Sequence, residues 1–147
     1  MILGIVGAGA DKFTPELETK ARERIRTLIR AHGATKVCSG ESPVGGIDIY
    51  AKEEAIALLG PDGYIACPPT VHNWSGKGGY KDRNLEIADR SDAVVSLVVR
   101  TVPRGYTGMR FSECYHCGTN EHVKSGGCWT AKQARLKGKA GWTEVIE

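Results

Sequence analysis

The chain has 147 residues, of which 41% are hydrophobic and 25% are charged, and its formal net charge is +3. This length and composition are typical of a single globular domain, and they exclude an intrinsically disordered chain or a coiled coil. A net charge this mild permits an anionic ligand but does not by itself require nucleic acid.

The sequence predicts a protein of the cytoplasm with no membrane partner. No apolar run reaches the ~18 residues of a membrane-spanning helix. The first residues, from Met1 to Gly7, lack the basic segment of a secretory signal and have the apolar character of a strand. The five cysteines are an odd number, and three of them lie within fifteen residues together with two histidines. In a reducing compartment this pattern predicts metal or redox chemistry rather than a disulfide framework.

Short apolar runs alternate with segments of helical spacing along the chain. The apolar runs predict five strands, over residues 2–6, 36–39, 64–67, 93–99 and 142–146. Apolar spacing, capping residues and stop signals predict four helices, over residues 14–33, 47–59, 82–90 and 128–136. This alternation predicts an α/β fold, a Rossmann-like three-layer sandwich with a mainly parallel five-stranded sheet, formed by residues 1–147 as one domain.

Glycine loops follow the first, second and fourth predicted strands, at the sheet edge where such folds bind ligands. After the first strand, Gly7 and Gly9 begin a dinucleotide fingerprint G-x-G-x-x-G, but Lys12 replaces its third glycine. No acidic residue ends the second strand, so a nicotinamide or flavin enzyme is not expected. Contact with a phosphate and a simple turn of the chain remain alternatives for this loop.

The next two loops place polar groups at predicted helix starts. Gly45 and Gly46 precede the second helix, where free N–H groups favour an anion. Asp48, in its first turn, can cap that helix or accept a hydrogen bond from a ligand hydroxyl. Arg83, beside Asn84, can bind a phosphate through two donors or form a surface ion pair.

The order of these segments resembles the SLOG superfamily of Rossmann-like nucleotide-binding domains, which is related to the LOG phosphoribohydrolases and the DNA-processing protein A domain. The matching segments are Ser-Gly-x5-Gly-Ile-Asp over residues 39–48, Arg-Asn at 83–84, Ala-Asp-Arg-Ser-Asp-Ala-Val-Val over 88–95 and Ser-Gly-Gly-x-Trp-Thr-Ala over 125–131. The resemblance covers nearly all of the chain outside residues 101–124. It implies a nucleotide-derived ligand whose phosphate lies near Gly126, Gly127 and Thr130, with further contacts from Ser39, Gly40 and Arg83.

One position departs from the LOG pattern G-G-x-G-T-x-x-E. Thr130 matches its threonine, but Gln133 replaces the glutamate that serves cleavage of the base–ribose bond. Glutamine cannot accept a proton or stabilise a developing positive charge as a carboxylate does, and Glu41, Asp48 and Asp82 are the candidate substitutes. We therefore expect a sensor or sequestering protein that binds a nucleotide, with a LOG-like N-glycosidic hydrolase of nucleoside monophosphates as the alternative. The candidate ligand-binding residues are Gly7, Gly9, Ser39, Gly40, Glu41, Gly45, Gly46, Asp48, Arg83, Asn84, Gly126, Gly127 and Thr130.

Residues 101–127 have no helical or strand period and contain most of a Cys/His cluster. Cys114, Cys117, His122 and Cys128 have the spacing C-x2-C-G-x3-H-x5-C, which suits a tetrahedral structural zinc ion. The spacing resembles a retroviral-type zinc knuckle, which has x4 in the last gap. Zinc would explain how an insertion without an apolar period stays folded.

Two points about the cysteines remain open in the sequence. His116 competes with Cys128 as fourth ligand, although neighbouring side chains in a C-x2-C turn usually point apart, which favours Cys128. Cys38 and Cys67 lie near strand ends and are expected to be buried thiols rather than ligands.

A knuckle-like insertion also suggests a rival function, the binding of single-stranded nucleic acid by cations and stacked aromatic rings. The alternative is that these side chains only pack around the metal, and a homo-oligomer is also compatible with the sequence. The residues concerned are Arg100, Arg104, Tyr106, Arg110, Phe111, Tyr115 and Lys124.

Overall fold

Five strands form one sheet in the computed structural model, which describes all of residues 1–147. Their order across the sheet is β3-β2-β1-β4-β5, and every neighbouring pair is parallel. The α/β prediction is confirmed, and the sheet is wholly rather than mainly parallel. The strands are β1 Ile2–Gly7, β2 Lys36–Ser39, β3 Tyr64–Ala66, β4 Ala93–Val99 and β5 Ala140–Ile146.

Four α-helices cover the two faces of this sheet. Helices α1 and α2 pack together on one face, and α3 and α4 pack together on the other, which gives the predicted three layers. The longest, α1, has 17 residues, and none of the helices combines the length and apolar character that crossing a bilayer requires. The helices are α1 Pro15–Ala31, α2 Ile47–Leu59, α3 Tyr80–Arg90 and α4 Gly126–Leu136.

The hydrophobic core lies on both sides of the central strands because β4 is buried along its whole length. Val95 and Leu97 point into the larger cluster under α1 and α2, whereas Val94 joins the smaller cluster under α3 and α4. Alternate residues of a strand face opposite sides of the sheet, so a continuous apolar run serves both clusters.

Three elements begin two residues before their predicted starts. Helix α4 begins at Gly126 rather than at 128, because the Ser125 hydroxyl accepts a hydrogen bond from the Gly127 N–H at 3.2 Å and caps the helix. Helix α3 begins at Tyr80 rather than at 82. Strand β5 begins at Ala140, which pairs with the first residue of β4.

Strands β2 and β3 are added on one side of β1, whereas β4 and β5 are added on the other. Where the strand order switches in this way, between β1 and β4, a crevice opens beyond the carboxyl ends of the strands. The first turn of α4 sits directly against the end of β1 there. A Cβ atom on Gly127 would lie 2.8 Å from the Gly7 backbone nitrogen, so this approach requires glycine.

The insertion between β4 and α4 has little regular structure, as predicted, although Gly126 and Gly127 belong to α4. A single β-bridge joins Cys114 to Thr119. The insertion is anchored to the sheet where the Val123 N–H donates to the carbonyl of Val99 at 2.8 Å.

Candidate ligand site and metal centre

A cavity of about 800 Å³ opens at the carboxyl edge of the sheet, in the crevice beside β1. This volume falls in the range of ~300–1,000 Å³ that is usual for small-molecule sites. The end of β1 and the first turn of α4 form its floor, through Gly7, Gly126 and Gly127. Loops that follow β2, β3 and β4 supply the walls.

One wall carries a buried polar network around Arg83. The Arg83 guanidinium donates from Nε to Asn84 Oδ1 at 2.7 Å and from Nη1 to the Gly40 carbonyl at 2.8 Å. The same Nη1 lies 3.6 Å from Asp48 Oδ2, which accepts the Ser42 N–H at 3.1 Å. The Nη2 group of Arg83 has no partner within the chain and can still donate to a ligand.

Asp48 is the only carboxylate among the residues that line this cavity. Burial raises the pKa of Asp48 above its ordinary value, and the nearby charge of Arg83 opposes that rise only in part. The carboxyl group therefore takes up a proton more readily than a surface aspartate. Depending on its protonation, it can accept a hydrogen bond from a ligand hydroxyl or donate one to a ligand oxygen.

Aromatic rings form another part of the wall. Trp74 and Trp129 meet edge to face with their ring centroids 4.9 Å apart. Trp74 is 43% exposed although it is a large apolar side chain. Tyr80 and Tyr115 also line the cavity. These rings offer flat apolar surface on which an aromatic ligand can stack.

The loop between β3 and α3 positions Trp74. Two backbone hydrogen bonds join this loop to the start of α3. The Tyr80 N–H donates to the Asn73 carbonyl at 2.8 Å, and the Lys81 N–H donates to the Trp74 carbonyl at 3.0 Å. The Asn73 side chain also accepts the Gly76 N–H at 2.6 Å. These bonds fold the loop over α4, so that Trp74 reaches Trp129.

Lys124 supplies the free positive charge of the cavity. Its ammonium group forms no hydrogen bond or ion pair in the chain, and it lies 5.2 Å from the centroid of the Tyr115 ring. Gly126, two residues later, has an N–H that donates to no group of the protein. A free ammonium group and a free N–H at a helix start in the same cavity favour an anion.

The structure brings six of the thirteen predicted ligand-binding residues to this cavity. They are Gly7, Asp48, Arg83, Asn84, Gly126 and Gly127.

The other seven lie behind the wall or beside it. Ser39 is buried and donates to the Ile5 carbonyl at 2.7 Å, and Thr130 is buried within α4. Glu41 pairs with Lys52 at 2.6 Å. The remaining four are Gly9, Gly40, Gly45 and Gly46, of which Gly9 lines an adjacent cavity.

Sequence reasoning missed most of the aromatic wall. Trp74, Tyr80 and Trp129 were not among the candidates, and Tyr115 and Lys124 were named only for the rival nucleic-acid function. An isolated aromatic residue in a loop has no periodicity to mark it. The signal present in the sequence is that each tryptophan lies close to glycines of a candidate ligand loop. Trp74 is in a glycine-rich loop, and Trp129 follows Gly126 and Gly127.

The four predicted metal ligands meet at the base of the insertion. The sulfur atoms of Cys114, Cys117 and Cys128 and a ring nitrogen of His122 all lie within 4.8 Å of one another, close enough to hold one metal ion. A tight turn presents the first two thiols, because the N–H groups of Cys117 and Gly118 both donate to the Cys114 carbonyl, at 3.1 and 2.8 Å.

His122 is oriented as a metal ligand would be. Its Nδ1 lies 2.8 Å from the Val123 carbonyl, which fixes the proton on Nδ1. Its Nε2 atom is then an acceptor, and it is buried without a hydrogen-bond partner. A buried acceptor costs free energy unless something pairs with it, and a metal ion at the cluster would do so.

His116 does not belong to this cluster. It lines the ligand cavity and packs against the Tyr115 ring with centroids 4.4 Å apart and the ring planes tilted by 52°. The structure therefore groups Cys128, rather than His116, with the other three side chains. Cys38 and Cys67 are buried free thiols far from the cluster in sequence, and their sulfur atoms are 3.3 Å apart.

No protein-family model and no curated protein matches this sequence. The resemblance to the SLOG superfamily therefore stays a prediction, and the functional argument depends on the geometry of the cavity and of the cysteine cluster.

Proposed function

We propose that this domain binds a nucleotide, or a phosphate ligand derived from one, as a sensor or sequestering protein. The observation that carries the proposal is the cavity itself, which places a free cation and a free helix N–H beside a wall of aromatic rings. A phosphate group pairs with Lys124 and the Gly126 N–H, while the base stacks on the exposed ring of Trp74 and meets the nearly perpendicular ring of Trp129 at its edge.

The polar network suits the sugar that joins these two groups. Asp48 can bond a sugar hydroxyl, and Arg83 holds Asp48 in place while keeping its Nη2 donor free. Asn84 is fixed by Arg83 and adds an amide to the same wall. The site thus has separate partners for phosphate, sugar and base.

Replacing Lys124 by alanine tests the phosphate contact. The loss of one charge-assisted hydrogen bond costs about 1.5–3 kcal/mol, which corresponds to an affinity for adenosine monophosphate about 10- to 150-fold lower. Lys132→Ala is the matched control, since Lys132 is an exposed lysine of α4 outside the cavity. Calorimetry that finds the same affinity for both variants would remove Lys124 from the site.

The competing function is N-glycosidic hydrolysis, and the observation in its favour is a buried carboxylate inside the cavity. Such hydrolysis generally uses two carboxylates, whereas Asp48 stands alone there, and Asp82 instead accepts the Gly78 N–H at 2.8 Å. This difference favours a binder. Chromatography that detects free base from nucleoside monophosphates, and none with Asp48→Asn, would establish the hydrolase instead.

We also propose that the cysteine cluster holds a structural zinc ion. Three thiolates and one imidazole are a common structural zinc set, and four protein ligands leave no open position for a reacting water molecule. Thiolate ligands require reduced cysteines, which supports a reducing compartment such as the cytoplasm.

Elemental analysis of the purified protein tests the metal, with one zinc per chain expected. Cys114→Ser should lower the zinc content and the nucleotide affinity while leaving the far-ultraviolet circular dichroism nearly unchanged, because the sheet has its own core. Cys67→Ser is the matched control for a buried thiol outside the cluster. A protein that contains no zinc when purified, yet keeps its insertion protected from proteolysis, would contradict this assignment.

A further inference from the structure

A second cavity, of about 410 Å³, lies against the first. We call the cavity described above the first chamber and this one the second chamber. Gly7, Val44, Lys124 and Gly126 line both. The two chambers therefore meet along the start of α4 and form a single groove.

The second chamber is built by the insertion together with the loop after β1. The insertion contributes Tyr106, Met109 and Phe111. Met109 is 73% exposed and Phe111 is 46% exposed, so a large apolar surface here is covered by nothing in the chain. Lys12 lies 5.3 Å from the centroid of the Tyr106 ring, and its charge is paired at 3.1 Å with that of Asp11, which lines the same chamber.

Lys124 stands between the chambers. Its ammonium group is 4.9 Å from the ring centroid of Phe111 in the second chamber and 5.2 Å from that of Tyr115 in the first. No carboxylate neutralises this charge. An anion bound to Lys124 would therefore have an aromatic chamber on each side of it.

We propose that the groove binds a ligand with two nucleobases joined through a phosphodiester, with the phosphate at Lys124 and one base in each chamber. This inference depends on the proposed function, because the first chamber is the nucleotide site. A mononucleotide would leave the apolar wall of the second chamber exposed to water. A free dinucleoside phosphate and two adjacent nucleotides of a single strand share this chemistry, so both are candidate sources.

Calorimetry with adenosine monophosphate and with the dinucleoside phosphate ApA tests the proposal. ApA has one adenosine more, and its phosphodiester carries one negative charge where the monoester carries about 1.5–2. The smaller charge weakens the contact with Lys124, so tighter binding of ApA is due to the second base. ApA should bind at least about fivefold tighter, the lower end of what one stacked base contributes. Tyr106→Ala should remove that difference and leave the affinity for adenosine monophosphate unchanged. Trp74→Ala, in the first chamber, should weaken the binding of both compounds.

The outcomes separate the two proposals. If both compounds bind equally well and Tyr106→Ala changes neither affinity, the second chamber is not a base site, whereas the first chamber remains a nucleotide site. If neither compound binds, the proposed function fails and this inference fails with it.

A ten-nucleotide oligoadenylate identifies the source of the ligand. The decamer contains nine overlapping ApA steps, which alone raise its affinity up to about ninefold. Binding more than about tenfold tighter than that of ApA, and weakened by Tyr106→Ala, supports a single strand, whereas a smaller difference supports a free dinucleoside phosphate. Tight strand binding that Tyr106→Ala leaves unchanged would overturn the inference.

Discussion

Replacing Arg83 by alanine should destabilise the domain by about 3 kcal/mol in the absence of any ligand. The Arg83 side chain is only 10% exposed, and it links α3 to the loop after β2 and to the first turn of α2. Its alanine variant leaves the Gly40 carbonyl and the Asp48 carboxylate without their cationic partner.

The magnitude follows from the two contacts that the alanine removes. A hydrogen bond from a charged donor, such as the one to the Gly40 carbonyl, contributes ~1.5–3 kcal/mol. Removing one partner of a buried ion pair costs ~3–5 kcal/mol. Two features hold the total near the lower end of these ranges. Arg83 and Asp48 are 3.6 Å apart, which is long for a direct bond, and the raised pKa of Asp48 lets its carboxyl take up a proton.

Urea denaturation at pH 7 measures this cost, and a melting temperature lower by roughly 6–12 °C should accompany it. Arg90→Ala is the matched control on the same helix. Arg90 pairs with Glu86 at 3.1 Å, but both side chains are nearly half exposed, so that pair contributes less than ~1 kcal/mol. Equal free energies of unfolding for the two variants would refute the argument that the Arg83 network is stabilising.

Two further substitutions test the floor and the wall of the first chamber. Gly127→Ala should destabilise the domain by about 1–3 kcal/mol, because its Cβ would lie 2.8 Å from the Gly7 nitrogen. Gly126→Ala is the control and should be neutral, since its Cβ has nothing within 4 Å. Equal melting temperatures for the two variants would contradict this prediction. Asp48→Asn should raise the free energy of unfolding at pH 7, because burial costs the charged carboxyl more than the Arg83 charge returns and the asparagine oxygen can still accept the Ser42 N–H. This gain should vanish as the pH falls toward the ordinary aspartate pKa of about 3.9, and a variant that is no more stable than the wild type at pH 7 would contradict it.

The helices and strands were predictable because local sequence signals mark where most of them begin and end. The apolar run Ala93–Val99 is flanked by polar residues, and the segment Ile47–Leu59 lies between Gly46 and Gly60, so both predicted ranges match the structure. The start of α4 was missed because the helix begins with two glycines, which disfavour helix, and the capping hydroxyl of Ser125 outweighs them.

The candidate site was only partly predictable, for a related reason. The metal cluster depends on close spacing in sequence, so Cys114, Cys117, His122 and Cys128 could be grouped from the sequence.

The wall formed by Trp74 and Trp129 depends instead on how a long loop folds back. That fold is set by backbone hydrogen bonds such as the one from the Tyr80 N–H to the Asn73 carbonyl. Neither residue type nor spacing encodes such a bond in a recognisable pattern.

The metal cluster and the ligand cavity are joined by a single short stretch of chain. His122 and Cys128 are both in the cluster, and Lys124 and Gly126 lie between them. Fixing both ends of a segment this short removes most of its conformational freedom before a ligand arrives, so less entropy is lost on binding. In the proposed zinc-bound state, the metal therefore has a role beyond folding the insertion, since it sets the position of the cation on which both chambers of the groove depend.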